Sequence, residues 1–487
     1  MQKKTIIILA FMLLASAILS LSLFTHGHLW GDDFASYIMQ AKSIVNGDMQ
    51  NFVVHNAYTI EQSSSQIGPI AYPWGYPLLL TPAYILFGIS PIGLKLPGLL
   101  TYLGFLLVFF FLIRRRLTLT ESLLAVSLFA FNLELLRFLD NILSDIPFLF
   151  FSTLSILLAD MYVHEKQNSK HRLMLAAGTG AAIFVAFFTR TQGLVLLGSV
   201  LLFQALRFLE EREQRQNIMF ETVLTITTFG TLWGISAMIF PGGQSSYLAI
   251  YAGYSIDLFI NNIGYYSQIF SQFFATLPGE SLFFGIFVVV CFIGLVARFR
   301  DDLLFILYSA LYLLVVWSWP ERQGYRFLFP MLPFFVYFAM QGIRVTINKV
   351  GRNWEGSLRK GFNAYLLLIV ILFAYNAGTN AYDNLRGGQK INGPFDPYSM
   401  EMYNFIKEQT PPESVIVFFK PRALRLMTDH DALALTECAR LPEGDYLVLN
   451  KKVGENLQIP PERIKECNLP LDKVFENRRF VVYRLVK

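Results

Sequence analysis

Apolar residues in this chain run together rather than alternating with polar ones. Stretches of about the 17–25 residues needed to cross a hydrocarbon layer fall near 5–24, 93–113, 121–137, 146–163, 173–189, 193–208, 218–240, 281–297, 303–319, 327–343 and 362–379. The pattern predicts an α-helical polytopic membrane protein with eleven spans. Two further stretches break the pattern. Residues 72–87 are apolar but carry Pro73, Pro77 and Pro82, so they are expected to lie in the interface or dip partway in, where protein covers the irregular backbone. Residues 241–280 hold Tyr247, Tyr251, Tyr254, Tyr265 and Tyr266, which suits an outer loop with a helix resting at the membrane surface.

From about residue 383 charges become frequent and apolar runs shorten. Residues 400–408 read as a short helix ahead of Pro411-Pro412, and 414–419, 446–449 and 479–485 read as strands. The chain is therefore expected to divide into a membrane domain, 1–382, whose first outer loop is 25–92, and a small extracytoplasmic α/β domain, 383–487.

Charge orients the spans. Lys3 and Lys4 precede the first span and hold that end in the cytoplasm. Alternating from there, the cytoplasmic segments carry Arg114, Arg115 and Arg116; Lys166, Lys170 and Arg172; Arg207, Arg212 and Arg215; Arg298 and Arg300; and Arg344, Lys349, Arg352, Arg359 and Lys360. The outer segments of the membrane domain carry only Lys42, Lys95, Arg137, Arg190, Arg322 and Arg326. An odd number of spans puts the C-terminal domain outside. Ala15-Ser16-Ala17 resembles a cleavage site, but the apolar run continues to Phe24. That is longer than the core of a signal peptide, and a retained anchor is expected.

Composition agrees. Hydrophobic residues make up 54% of the chain and charged residues 15%, against about 25% charged in a soluble globular protein. Mean hydropathy is +0.45 and net charge +5. Three cysteines are too few for a disulfide framework; Cys291 lies in an apolar run, and Cys438 and Cys467 are able to pair if their domain is extracytoplasmic.

The candidate chemistry sits at the outer ends of the spans. Trp30-Gly31-Asp32-Asp33 places two adjacent carboxylates just beyond the first span, a costly arrangement unless they are solvated, paired or used. Asp145 begins the fourth span, Arg190 ends the fifth, Arg322 and Arg326 lie between the ninth and tenth, and Lys95 begins the second. Arginine forks suit a phosphate group, and a carboxylate suits deprotonation of a hydroxyl nucleophile. Each also has a structural reading: Asp32, Asp33 and Asp145 as helix caps, Arg190 and Lys95 as interfacial anchors, Arg322 and Arg326 as partners of Glu321. An acidic pair can bind a divalent cation, but no His or Cys cluster supports a fixed metal site.

The ordered set of outer-loop motifs resembles the GT-C glycosyltransferases, most closely the protein O-mannosyltransferases and the aminoarabinose transferases of lipid A. The acidic pair is followed by Tyr37, Ala41 and Gly47; Tyr72-Pro73-Trp74-Gly75-Tyr76-Pro77 resembles the juxtamembrane helix of that branch; Leu143-Ser144-Asp145-Ile146-Pro147 its second acidic loop; Phe188-Thr189-Arg190-Thr191-Gln192-Gly193 its outer arginine turn; and Tyr325-Arg326-Phe327-Leu328-Phe329-Pro330 its late arginine–proline motif. The likeness covers roughly residues 1–345. It implies a membrane enzyme that moves a sugar from a polyprenyl phosphate to a glycan, lipid or protein acceptor at the outer face, among membrane lipids and without a nucleic-acid partner. Asp33 matches the catalytic aspartate; an alignment one residue earlier makes it Asp32, and Asp145 is the second acidic position. Arg190, Arg322, Arg326 and Lys95 are the expected donor-phosphate ligands, and Tyr37, Tyr72, Trp74 and Tyr76 the expected substrate-lining residues. Ala71-Tyr72-Pro73-Trp74 lacks the basic residue of the aminoarabinose branch, which argues against lipid A modification. From another class, a transporter or flippase is the alternative, and a polymerase or ligase of lipid-linked saccharides shares the compartment.

Overall fold

The computed structural model describes residues 3–64, 67–165, 169–242, 254–350, 354–453 and 457–486; Tyr247, Tyr251, Lys166 and Arg352 lie outside these. Nine helices among the described residues are long and apolar enough to cross a membrane. They are α1 (Lys3–Leu23), α5 (Pro91–Arg114), α8 (Asp145–His164), α9 (Ser169–Thr189), α10 (Leu194–Glu210), α11 (Arg215–Ile239), α13 (Glu280–Ala297), α15 (Leu332–Val350) and α16 (Glu355–Gly387). Each falls on a predicted span. The other two predicted spans fall on shorter helices: α6 (Leu119–Ala130) with α7 (Leu133–Phe138), and α14 (Leu303–Ser318). The structure thus bears out a polytopic helical fold without establishing a count of eleven crossings.

Local chemistry sets the helix ends. Thr118 and Glu121 form a reciprocal capping box at the start of α6, which satisfies two orphan donors at once. Asn132 caps α7 through the Leu135 amide. Ile6, Ile7, Phe11 and Leu14 of α1 are exposed, as expected of a helix that is apolar all round and meets lipid. Gly294 of α13 and Gly342 of α15 each face the other helix's backbone so closely that a Cβ at either would collide with it; small residues of this kind let membrane helices pack tightly.

Between α1 and α5 the chain forms α2 (Asp33–Asn46), α3 (Met49–Glu61) and α4 (Gly75–Phe87). α4 is the proline-bearing apolar stretch, a 13-residue helix with Pro82 inside it. α12 (Ile256–Ile269) lies in the aromatic segment before α13.

The C-terminal part contains α17 (Pro397–Gln409), α18 (Pro421–Thr428) and a five-stranded sheet: β1 (Ile416–Val417), β2 (Ala432–Leu433), β3 (Tyr446–Asn450), β4 (Leu471–Glu476) and β5 (Phe480–Leu485). The order is β2-β1-β3-β5-β4. β1 runs parallel to β2 and β3, while β5 is antiparallel to β3 and β4. Alternate residues fill two cores. Ile416, Phe418, Val448 and Val482 pack with Met402, Tyr403 and Leu424 on one face, and Val417, Leu447, Leu449 and Val481 pack with Leu441 and Ile464 on the other. Cys438 and Cys467 are joined by a disulfide. A third core ties this part to the segment between α1 and α5, with Ala423 and Leu426 packed among Phe34, Ile38, Phe52 and Trp74.

Candidate active site

A cleft of about 550 Å³ opens where the segment between α1 and α5, the ends of several spans and the C-terminal part meet. Its lining includes Asp32, Asp33 and Tyr37 from the start of α2, Tyr72, Ser144 before α8, Arg190 after α9, Arg326 before α15, and Lys420 of the C-terminal domain.

Asp33 is the first residue of α2. Its side chain is 33% exposed, whereas that of Asp145 is 3% exposed. The Tyr72 hydroxyl donates to Asp33 Oδ1 at 2.6 Å, and Arg326 Nη1 lies 3.5 Å from Asp33 Oδ2. The same Nη1 lies 3.9 Å from Asp145 Oδ2. Asp145 Oδ1 is paired with Arg190 Nη1 at 2.6 Å, and Arg190 also donates to Ser144 Oγ at 3.4 Å. Ser144 Oγ shares a 2.9 Å hydrogen bond with Tyr37 OH. The rings of Tyr37 and Tyr72 meet at 4.7 Å, which closes a loop of seven side chains. Phe327 lies under both arginines, 5.2 Å from Arg190 and 6.0 Å from Arg326. Arg326 also donates to Gln323 Oε1.

Asp32 behaves differently from its neighbour. It occupies the N-cap position of α2, but its side chain makes no capping bond. It is buried, its Oδ2 is 3.1 Å from Lys420 Nζ, and its Oδ1 has no hydrogen-bond partner among the described residues. Burial pushes its carboxyl above the ordinary range, with Lys420 and Arg422 pulling it back. Burial likewise raises the Tyr37 and Tyr72 phenols, so both stay protonated as donors.

Trp74 and Tyr76 stand behind the cleft: Trp74 Nε1 donates to the Pro241 carbonyl at 3.0 Å, and Tyr76 packs edge-on against Tyr37 at 4.9 Å. Two of the expected phosphate ligands lie elsewhere. Lys95 is fully buried in α5 and donates to Asp140 Oδ1 at 2.6 Å and to the Thr25 and Gly27 carbonyls at 2.7 and 2.8 Å. It anchors the chain leaving α1. Arg322 stacks over Tyr265 at 4.7 Å and donates to Asn262 Oδ1 at 3.3 Å.

Sequence reasoning missed Lys420, Arg422 and His28. His28 lies buried against Phe34 at 4.1 Å. Its Nε2 accepts from the Ile142 amide at 3.1 Å, so Nδ1 carries the proton and donates to Leu29 O at 2.8 Å. Its proximity to the acidic pair was the available signal. Lys420 and Arg422 carried none, because nothing local ties them to a loop nearly 400 residues earlier.

A divalent cation needs converging oxygen ligands. Here Asp32 is held by Lys420, Asp145 by Arg190, and Asp33 by Tyr72 and Arg326. Among the described residues no group of three or more His, Cys, Asp or Glu side chains is placed to hold a metal. The cations that the described residues bring to the cleft are arginine and lysine.

No family model matches the chain, and no curated protein matches it in sequence. Solved structures do. ArnT from Cupriavidus metallidurans bound to undecaprenyl phosphate superposes with a TM-score of 0.66 at 13% identity, over 99% of this chain and 98% of that one. The apo oligosaccharyltransferase of Archaeoglobus fulgidus gives 0.63 at 12% identity, over 92% of this chain and 70% of that one. The same organism's oligosaccharyltransferase AglB, in complex with an inhibitory peptide and a dolichol-phosphate, gives 0.58 at 12% identity, over 91% and 69%. The chain thus shares the fold of these structures.

Proposed function

We propose that the protein is a membrane glycosyltransferase that takes a sugar from a polyprenyl-phosphate donor and transfers it to a hydroxyl of a cell-envelope glycan, lipid or protein. One observation carries this reading: a partly exposed carboxylate, Asp33, shares a cleft with Arg326 and Arg190. The fold likeness supports it, since structures of the same fold hold undecaprenyl phosphate and dolichol-phosphate.

In the proposed reaction the acceptor oxygen attacks the anomeric carbon and its proton passes to Asp33. The bond from that carbon to the phosphate oxygen breaks, polyprenyl phosphate leaves with the electron pair, and the anomeric configuration inverts. Arg326 and Arg190 stabilise the charge that develops on the leaving phosphate. Tyr72 donates to one oxygen of Asp33, and the other, 3.5 Å from Arg326 Nη1, takes the acceptor's proton. Asp145 orients the two arginines, and Asp32 is structural. With an acceptor that is already ionised, Asp33 orients rather than deprotonates it.

The reaction is assigned to the extracytoplasmic face. Asp145 at one end of α8 pairs with Arg190, which lines the cleft, and Asp160, about 22 Å away along the helix, pairs with Arg115 and Arg116 at the other. Basic residues gather at that second end, as cytoplasmic loops require. The Cys438–Cys467 disulfide suits an oxidising compartment for the domain beside the cleft. Transporters instead carry functional charges near the bilayer midplane on broken helices, and here Asp145 and Arg190 sit at helix ends.

The test is transfer into the envelope fraction of membranes supplied with undecaprenyl-phosphate-linked sugars. Wild-type protein transfers one of them, and Asp33→Asn transfers it at least about a hundredfold more slowly. Undiminished transfer by Asp33→Asn overturns the role of the aspartate, and no transfer from any such donor overturns the reading.

A further inference from the structure

We propose that Lys420 and Arg422, both on the C-terminal domain, are positioning residues that hold the acidic pair at the start of α2 in its working geometry. The proposal rests on the reading of Asp33 given above. α18 starts at Pro421, and the two cations flank that proline. Lys420 Nζ lies 3.1 Å from Asp32 Oδ2 and is the hydrogen-bond partner of a buried carboxylate whose other oxygen has none among the described residues. Asp32 directly precedes Asp33, so this contact fixes the backbone from which Asp33 projects.

Arg422 reaches Asp33 by a second route. It is fully buried. It donates to Asn56 Oδ1 of α3 at 3.2 Å and to the Ile67 carbonyl at 3.3 Å, and also to the Pro69 carbonyl. Its guanidinium lies 5.7 Å from the centre of the Tyr72 ring, and Tyr72 is the donor to Asp33. Gly68 makes this approach possible. Its φ is +113, and a Cβ there would stand 2.9 Å from the Tyr72 hydroxyl and 3.4 Å from Arg422 Nη1. Two routes therefore begin on one turn of the C-terminal domain and end on the same aspartate.

Apolar contacts also seat the domain. Ala423 and Leu426 already pack into the core of the first outer loop, and Trp30 packs against Phe418 and Phe419 at 5.8 and 5.0 Å. Apolar and polar contacts together dock the domain, and among the polar ones Lys420 reaches the acidic pair directly.

Lys420 carries the test, because removing the fully buried Arg422 risks the fold. Full-length protein in membranes is assayed with the undecaprenyl-phosphate sugar that wild type transfers. Lys420→Met is expected to lower kcat per folded molecule by about tenfold to a hundredfold and to leave KM for the donor within about twofold, while Asp32, left buried without its partner, lowers the thermal midpoint in detergent. Lys420→Arg is expected to recover most of the rate. Wild-type kcat per folded molecule in Lys420→Met, a rate loss no larger than the loss of folded protein, or no recovery in Lys420→Arg would overturn the proposal. Asp33→Asn run in parallel separates the two ideas. An inactive Asp33→Asn beside a fully active Lys420→Met removes only the positioning role, while full activity in both removes the underlying reading as well.

Discussion

The two ends of α8 carry the same kinds of side chain in opposite arrangements. At the end away from the cleft, Arg116 donates twice to Asp160, at 2.5 and 3.0 Å, and once to Asp302, at 2.5 Å. Asp302 also accepts from Arg298 at 2.8 Å and from Tyr337 OH at 2.6 Å. A small cavity of about 190 Å³ adjoins this cluster, but its central charges are saturated by one another. At the cleft end the contacts of Arg326 to Asp33 and Asp145 stretch to 3.5 and 3.9 Å, and Asp145 Oδ2 has no hydrogen-bond partner among the described residues. A closed ion cluster stores stability. An open one beside a cleft keeps donors for a charge that arrives with the substrate.

That contrast is tested most severely by exchanging the readouts. Arg116→Met leaves Asp160 and Asp302 buried without their main partner, and this should cost about 3 to 5 kcal/mol of stability. It should appear as a lower thermal midpoint in detergent, with turnover per folded molecule unchanged. Arg326→Met should do the reverse: a rate loss worth roughly 3 to 4 kcal/mol, read in the transfer assay, with little change in midpoint. If both variants lose stability and neither loses rate, the two ends are alike and the distinction fails.

His28 supplies a pH-dependent version for the cleft end. Burial lowers its pKa from 6.5 to about 4. The unfolded chain binds a proton below pH 6.5 that the folded chain refuses until about pH 4, so stability is full above pH 7 and falls as pH drops through that window. The loss is about 3 kcal/mol. The thermal midpoint should fall between pH 7.5 and pH 5 by more in wild type than in His28→Gln; equal slopes would contradict the burial assignment. The smallest effect is expected from Tyr72→Phe, which removes one hydrogen bond to Asp33 while Arg326 remains. A rate about tenfold lower at unchanged midpoint is expected, and an unchanged rate would show that Tyr72 does not hold the base.

Much of this was legible because lipid restricts the solutions. A span must be apolar around its whole circumference, so α1, α5, α8 and α13 announce themselves without any tertiary information. Asp33, Asp145, Arg190 and Arg326 were legible for a related reason: charges at the ends of such helices are few, and four of them converge. Lys95 looked the same in sequence, yet Asp140 and two backbone carbonyls claim it. No periodicity reveals a partner 45 residues away. Arg322, four residues before Arg326, was claimed by Tyr265 of α12. In the C-terminal domain the buried strands β1, β3 and β5 showed as apolar runs. β2 is only two residues long, and β4 is a polar edge strand with a register shift between Lys473 and Phe475, so neither stood out. Lys420 and Arg422 were the least visible, since their meaning depends wholly on how that domain docks.

Undecaprenyl phosphate titrated into the purified protein, followed by thermal shift or tryptophan fluorescence, tests the central claim most directly. Saturable binding by wild type and by Arg322→Met, weakened about tenfold or more in Arg326→Met, is the result predicted for a phosphate held in this cleft. Equal affinity in wild type and Arg326→Met, or no saturable binding at all, would contradict it.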